Sequence, residues 1–75
     1  MIKDLDNVVL TVDLPQYRLA VGDIGTVVMV HANGSGYEVE FMALDGETLA
    51  VTSLAATQVR PICHKEIAHV RSVAA

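Results

Sequence analysis

The chain has 75 residues, 52% of them hydrophobic and 19% charged, and its nine acidic and five basic residues give a net charge of −4. This length predicts one small domain that buries only roughly 60% of the surface of its unfolded chain, and the composition excludes the disordered class. No apolar stretch approaches the ~20 residues that span a bilayer, so we expect no membrane insertion.

The first predicted strand is followed by a long loop. Residues 6–12 are rich in β-branched side chains, and Pro15 ends the ladder because proline has no N–H to donate. Residues 13–22 show no sustained period and predict a loop, of a length that often carries function. Tyr17 and Arg18 in this loop are residue types enriched at interface hot spots. We predict them as partner-binding candidates, with ordinary loop packing as the alternative.

A glycine pair predicts the turn into the second strand. Gly22 and Gly25 open a β-branched run, which is typical of a tight turn that leads into a strand at about residues 25–31. The run ends at Asn33-Gly34-Ser35-Gly36, where asparagine and glycine tolerate the positive φ of a hairpin turn. The third strand therefore pairs with the second.

The third strand has the clearest alternation in the chain. Over residues 37–42, Tyr, Val and Phe alternate with Glu, Glu and Met, which at a period of two turns the apolar side chains inward and the carboxylates to water. We expect the core to consist of Leu10, Tyr37, Val39, Phe41 and Leu49.

Two further strands complete the predicted sheet. Asp45-Gly46 predicts a turn before a fourth strand over residues 47–52, in which Leu49 and Val51 alternate with smaller side chains. Residues 54–58 predict a single helical turn. Residues 59–62 predict a short fifth strand, whose proline restricts it to an edge or a terminus. Five such strands predict an all-β fold, a small closed barrel that hides its edges.

The C-terminal residues predict a separate helical tail. We expect a barrel over residues 1–62 and a short helix over residues 63–75, because Ile67, Val70 and Ala74 follow the spacing of one helix face. A helix this short is marginal in water and must pack on its own barrel, on a second copy or on a partner. We predict these three side chains as partner-binding candidates.

No group of residues predicts catalysis. Glu38 and Glu40 lie roughly 7 Å apart on one strand face, but an exposed face does not supply the raised pKa that general acid catalysis needs. Cys63, His64 and His69 lack the spacing of a convergent metal site, and nothing orients a base toward the thiol. We expect no enzyme activity, metal or cofactor.

Cysteine usage and the first residues predict the compartment. Cys63 is the single cysteine, which excludes an internal disulfide. Acidic side chains in residues 1–6 stand where a secretory signal has an apolar run. We therefore expect a reducing cytoplasm.

Charge and aromatic content argue against three common ligands of small barrels. Five basic residues against nine acidic ones disfavour nucleic-acid binding, which depends on several Lys or Arg contacts with phosphates. Tyr17, Tyr37 and Phe41 are the only aromatic residues, too few for a groove or cage that binds proline-rich peptides or methylated lysine.

Several segments resemble a family of short bacterial proteins, the domain of unknown function 4926, over about residues 5–62. They are Asp6-Asn7-Val8-Val9-Leu10, Asp13-Leu14-Pro15, Gly22-Asp23-Ile24-Gly25-Thr26-Val27-Val28, Tyr37-Glu38-Val39-Glu40-Phe41 and Val59-Arg60-Pro61. The resemblance implies an SH3-like barrel with no established activity and no functional residue to carry over. It also suggests genes placed beside those of toxin-like proteins. The glycine motif alone resembles the barrel of the nitrile hydratase beta subunit and the KOW modules.

We therefore predict a non-catalytic, cytoplasmic protein-binding module that binds a protein partner or a second copy. The specific version of this prediction is the antitoxin or immunity companion of a toxin-like protein. The alternatives are an accessory subunit or chaperone resembling the nitrile hydratase beta-subunit barrel, and a KOW-like RNA-binding module, which the charge disfavours.

Overall fold

The computed structural model describes residues 1–73. It contains one antiparallel sheet of five strands in the order β4-β3-β2-β1-β5. The strands are β1 (Asn7–Leu10), β2 (Ile24–His31), β3 (Gly36–Met42), β4 (Thr48–Ala55) and β5 (Val59–Pro61). The helical segments of the described part are three single turns of 3-10 helix, Pro15–Tyr17, Ala32–Gly34 and Ala56–Gln58. The predicted all-β class is confirmed.

The apolar side chains of the third strand point into the core, as predicted. Tyr37, Val39 and Phe41 are buried, whereas the side chains that alternate with them are not. Gly25 of β2 leaves room for this packing, because a Cβ atom there would lie 2.8 Å from Cε1 of Phe41 and 2.5 Å from Cγ1 of Val39. The glycine is therefore needed for its lack of a side chain, since the Val39 and Phe41 side chains pack against its backbone.

The loop between β1 and β2 contributes two core residues that the sequence pattern did not reveal. Leu14 and Leu19 are buried and face each other in an isolated β-bridge. The 3-10 turn between them ends at Arg18, which adopts a left-handed conformation with φ of 59°. This arrangement packs the loop on the core and leaves Tyr17 and Arg18 exposed.

The predicted inward face of the fourth strand is wrong. In the antiparallel register Phe41 pairs with Ala50 and Tyr37 pairs with Leu54, and directly opposed residues share a face. Leu54 is therefore buried, whereas Leu49 is 36% exposed. Because Ala50 opposes Phe41, its neighbours Leu49 and Val51 point to the opposite face, and a register shift between Phe41 and Met42 also leaves Leu49 without a direct partner on β3.

The predicted closed barrel is also wrong, because the sheet has two edges, β4 and β5. The chain passes from β4 to β5 through the 3-10 turn Ala56–Gln58, and the two edge strands do not pair with each other. The turn is held instead by Thr11, just after β1, whose N–H donates to the Gln58 carbonyl at 2.9 Å. β5 is only three residues long, and within residues 1–73 the strand that it pairs with is β1. Its Pro61 lies at the terminus of an edge strand, as predicted.

The predicted helix over residues 63–75 is absent from its described part, residues 63–73. Lys65 has φ of 64°, a left-handed conformation that interrupts a right-handed helix. Ile67 and Val70 are 94% and 74% exposed, so they do not form a buried face. Ala74, the third residue of the predicted face, lies outside the described residues.

Replacing Phe41 with alanine should lower the free energy of unfolding by about 3–5 kcal/mol, because the lost ring leaves a cavity in the core. Leu49→Ala is the matched control and should cost much less, since its side chain is already partly in water. Urea denaturation of the two variants and the parent measures both losses. Equal losses would contradict the facing of β3 and β4 described above.

Candidate partner-binding groove

A groove of about 1060 Å³ lies between the sheet and the C-terminal segment, residues 62–73. Large apolar side chains that are at least 36% exposed line it. They are Met42, Leu44, Leu49, Ile62, Ile67 and Val70. Contiguous exposed apolar surface of this kind marks interaction sites more often than single exposed side chains do.

The near end of the C-terminal segment is fixed by an ion pair. The Arg60 guanidinium donates two hydrogen bonds to the Glu66 carboxylate, at 2.9 and 2.6 Å. Oε1 of Glu66 also accepts the backbone N–H of Cys63 at 2.6 Å. These bonds, the one from Arg60 foremost, lower the pKa of Glu66 to about 2. The segment therefore leaves β5 in a closed turn.

The far end is fixed by a second ion pair. Nε of Arg71 donates to Oδ1 of Asp23 at 2.9 Å, and Nη2 binds Oδ2 of the same carboxylate. Nη2 also donates to the carbonyl oxygen of Arg18 at 3.2 Å. Partial burial raises the pKa of Asp23, but the bonds from Arg71 and from the Ala20 N–H outweigh this effect, and the pKa lies below its ordinary value.

The two ion pairs hold the C-terminal segment on its own sheet without burying its apolar side chains. Ile67 and Val70 lie between Glu66 and Arg71 and remain on the groove. An irregular segment and not the predicted helix face places them there, and their role as partner-binding residues stays a prediction.

The two loop candidates lie outside this groove. Neither Tyr17 nor Arg18 lines it, although the backbone carbonyl of Arg18 accepts a hydrogen bond from Arg71 of the C-terminal segment. The groove residues that the sequence pattern did not reveal are Met42, Leu44 and Leu49. Leu44 precedes the turn at Asp45-Gly46, and an apolar side chain in a polar turn was the signal that could have found it.

The charges along the groove are unbalanced. Arg60 and Arg71 are each engaged by a carboxylate of the groove itself. Asp45 and Glu47 form no ion pair with a described residue, and the Asp45 carboxylate only accepts the Glu47 N–H at 3.0 Å. The rim beside Leu44 is therefore acidic.

The carboxylate pair on β3 is occupied by neighbouring side chains. Oε2 of Glu38 accepts the Ser53 hydroxyl at 2.5 Å and lies 3.1 Å from Nε2 of His31. The bond from Ser53, followed by that with His31, lowers the pKa of Glu38. Glu40 accepts the Thr48 hydroxyl at 2.7 Å. Since Glu38 stands between serine and histidine, they do not form a nucleophile and its base.

The cysteine and histidines of the described C-terminal segment are not gathered into a metal site. Across residues 1–73, no three His, Cys, Asp or Glu side chains lie close enough to hold a metal ion. The exposed Cys63 thiol is 3.6 Å from Nη1 of Arg60, and no base is bonded to it in the described part of the chain.

Helices able to cross a membrane are likewise absent from the described residues, where no helix exceeds a single turn.

Comparison with known proteins gives a family but no activity. A family model described as domain of unknown function (DUF4926) matches residues 4–61. No curated protein and no solved structure matches the chain. The match covers all five strands and ends where the C-terminal segment begins.

The Glu66 carboxyl should titrate near pH 2 instead of its ordinary 4.5. Because the folded pKa is depressed, the ion pair contributes stability above about pH 4.5, and this contribution is lost as the pH falls toward 2. Carbon-detected NMR of the side-chain carboxyl measures the midpoint. Arg60→Ala should return it toward 4.5, whereas Arg71→Ala should leave it unchanged. A midpoint near 4.5 in the parent would show that the ion pair does not form.

Proposed function

Because this chain belongs to the family of the domain of unknown function (DUF4926), whose description records no activity, we propose its function from its own residues. It is a non-catalytic protein-binding module, and its partner docks in the groove beside the C-terminal segment. The observation that carries this proposal is the apolar surface of Leu44, Ile67 and Val70, which are 89%, 94% and 74% exposed in a domain of 75 residues.

The arrangement of the strands supports an SH3-like barrel as the scaffold of this module. The sheet bends at two register shifts, one between Val27 and Met29 and one between Phe41 and Met42. Such shifts increase the twist that curls a small sheet. A 3-10 turn then leads from β4 to β5, which returns to pair with β1. The barrel is open between β4 and β5, so the proposed class is a partly open one.

Charge supports a basic partner. The chain has a net charge of −4, and Asp45 and Glu47 add uncompensated carboxylates beside the groove. An acidic surface associates faster with a basic one, since the two potentials steer the encounter. We extend the proposal to a cytoplasmic antitoxin or immunity companion that covers the basic surface of a toxin-like protein. The accessory-subunit alternative uses the same groove and stays a prediction.

Affinity purification from the native cell tests the proposal with matched variants. Leu44→Gln combined with Ile67→Gln removes apolar surface from the groove. Val28→Gln combined with Met29→Gln removes exposed apolar surface elsewhere, on β2. The parent and the β2 variant should recover the same protein partner, and the groove variant should bind that purified partner at least about tenfold more weakly.

Two results would contradict this function. The first is a parent chain that recovers no protein partner. The second is a groove variant that binds the partner as tightly as the β2 variant does. Thermal melting of both variants keeps a loss of folding apart from a loss of binding.

A further inference from the structure

The outer edge of β4 is long, and beyond the bulge at Leu49 it runs in regular register with β3. β4 comprises eight residues, Thr48–Ala55, and among the described strands it pairs with β3 alone. Its sequence contains no charged residue, no proline and no glycine. Natural edge strands usually carry such residues, or are short or covered, because an open row of backbone groups pairs with another strand.

The backbone groups at this edge can be assigned from the ladder. The Ala56 N–H donates across the sheet to the Ser35 carbonyl at 3.1 Å. Because successive residues of a strand point their backbone groups to alternate sides, those of Ser53 and Val51 point away from β3. The N–H of Ala55, which has the same direction, is already taken by Oε1 of Gln58 at 2.8 Å. The free stretch is therefore centred on Val51 and Ser53.

The other edge of the sheet shows the contrast. β5 has three residues, ends in Pro61 and carries Arg60, whose guanidinium is engaged by Glu66. Shortness, a proline and a charge are the usual protections of an edge. β4 has none of these three features, so its composition leaves the edge open to pairing with another strand.

We infer that the edge of β4 pairs with the same edge of a second copy of this chain. An antiparallel, two-fold pairing about Val51 would set that residue against its own counterpart and join the two sheets into one. A two-fold interface places identical surfaces against each other. This edge suits that arrangement because it brings no charge against a like charge. Of the residues of β4 only Leu49 also lines the groove, and the pairing uses the backbone edge of the strand, so this inference goes beyond the proposed function.

The acidic residues nearest to the edge do not oppose the pairing. Glu38 and Glu40 are on β3, one strand inward, and their carboxylates accept hydrogen bonds from Ser53 and Thr48 of β4. Across the joined sheets the two β3 strands would be separated by three strand spacings, or about 14 Å. That distance exceeds the screening length of about 8 Å at physiological ionic strength, so the repulsion between copies is small.

The pairing would also cover apolar surface. Val51 is 51% exposed and lies on the outer face of β4 beside Glu40. Cross-strand pairs of β-branched side chains stabilise a sheet, and a valine opposite its own copy is such a pair. The edge therefore offers both free backbone groups and a side chain suited to a neighbouring strand.

Sedimentation equilibrium of the full chain between about 10 and 500 μM tests this inference. We expect a dimer for the parent and for Val51→Thr, which keeps the β-branched shape. Val51→Lys places two positive charges against each other and should weaken dimerisation at least about tenfold. Met29→Lys is the matched control on the paired strand β2 and should leave the dimer intact.

Amide hydrogen exchange provides a second measurement if Val51→Lys fails to fold. The amides of Val51 and Ser53 in the parent should gain protection as its concentration rises, while amides in the loop of residues 13–22 should not. A parent that remains monomeric over the whole range would overturn the inference. A dimer that survives Val51→Lys would also overturn it, as would one lost in the groove variant Leu44→Gln with Ile67→Gln. That last result would place self-association at the groove. The proposed function is tested separately, by measuring whether Val51→Lys still binds the protein partner.

Discussion

The packing of the Phe41 and Val39 side chains against Gly25 of β2 is the contact on which the rest of the sheet depends. The Phe41 ring occupies the space that a side chain at residue 25 would fill, so the largest core residue is seated directly beneath the backbone of β2. Because a strand alternates its faces, this single placement also turns Val39 and Tyr37 inward. A small domain has few large buried side chains, and its stability depends on packing them against one another.

The buried face of β3 also determines which side chains of β4 are buried. Here the local sequence pattern and the register with β3 give different answers. Leu49 and Val51 look like inward residues because they are the larger members of an alternating run. The register with β3 instead points Ala50 and Leu54 inward. An isolated strand pattern cannot reveal which residue of β3 each residue of β4 opposes, and a register shift of one residue exchanges the two faces. The buried face of residues 37–42 was predictable because their alternation continues without interruption through Phe41.

The candidate site could be predicted only in part. Ile67 and Val70 share an apolar spacing, and both line the groove, but their placement depends on Arg60 and Arg71 reaching carboxylates up to 48 residues away in the chain. No local pattern encodes such a pairing. The left-handed Lys65 likewise follows from the closed turn around Glu66, and it replaces the helix that the spacing favours. Leu14 and Leu19 were missed because a buried loop has no period to detect.

The two ion pairs of the C-terminal segment have a consequence for how it leaves the sheet. Each pair is partly in water, where a single pair is weak. Once the pair at Glu66 is formed, however, the short chain to Arg71 keeps its guanidinium at a high effective concentration near Asp23, so the second contact closes as an intramolecular step. Release of Arg71 alone therefore leaves a tethered end that returns readily, whereas full detachment requires both links to open at once. An incoming protein that offers its own carboxylate to Arg71 could exchange one link at a time and gain access to the groove without that double loss.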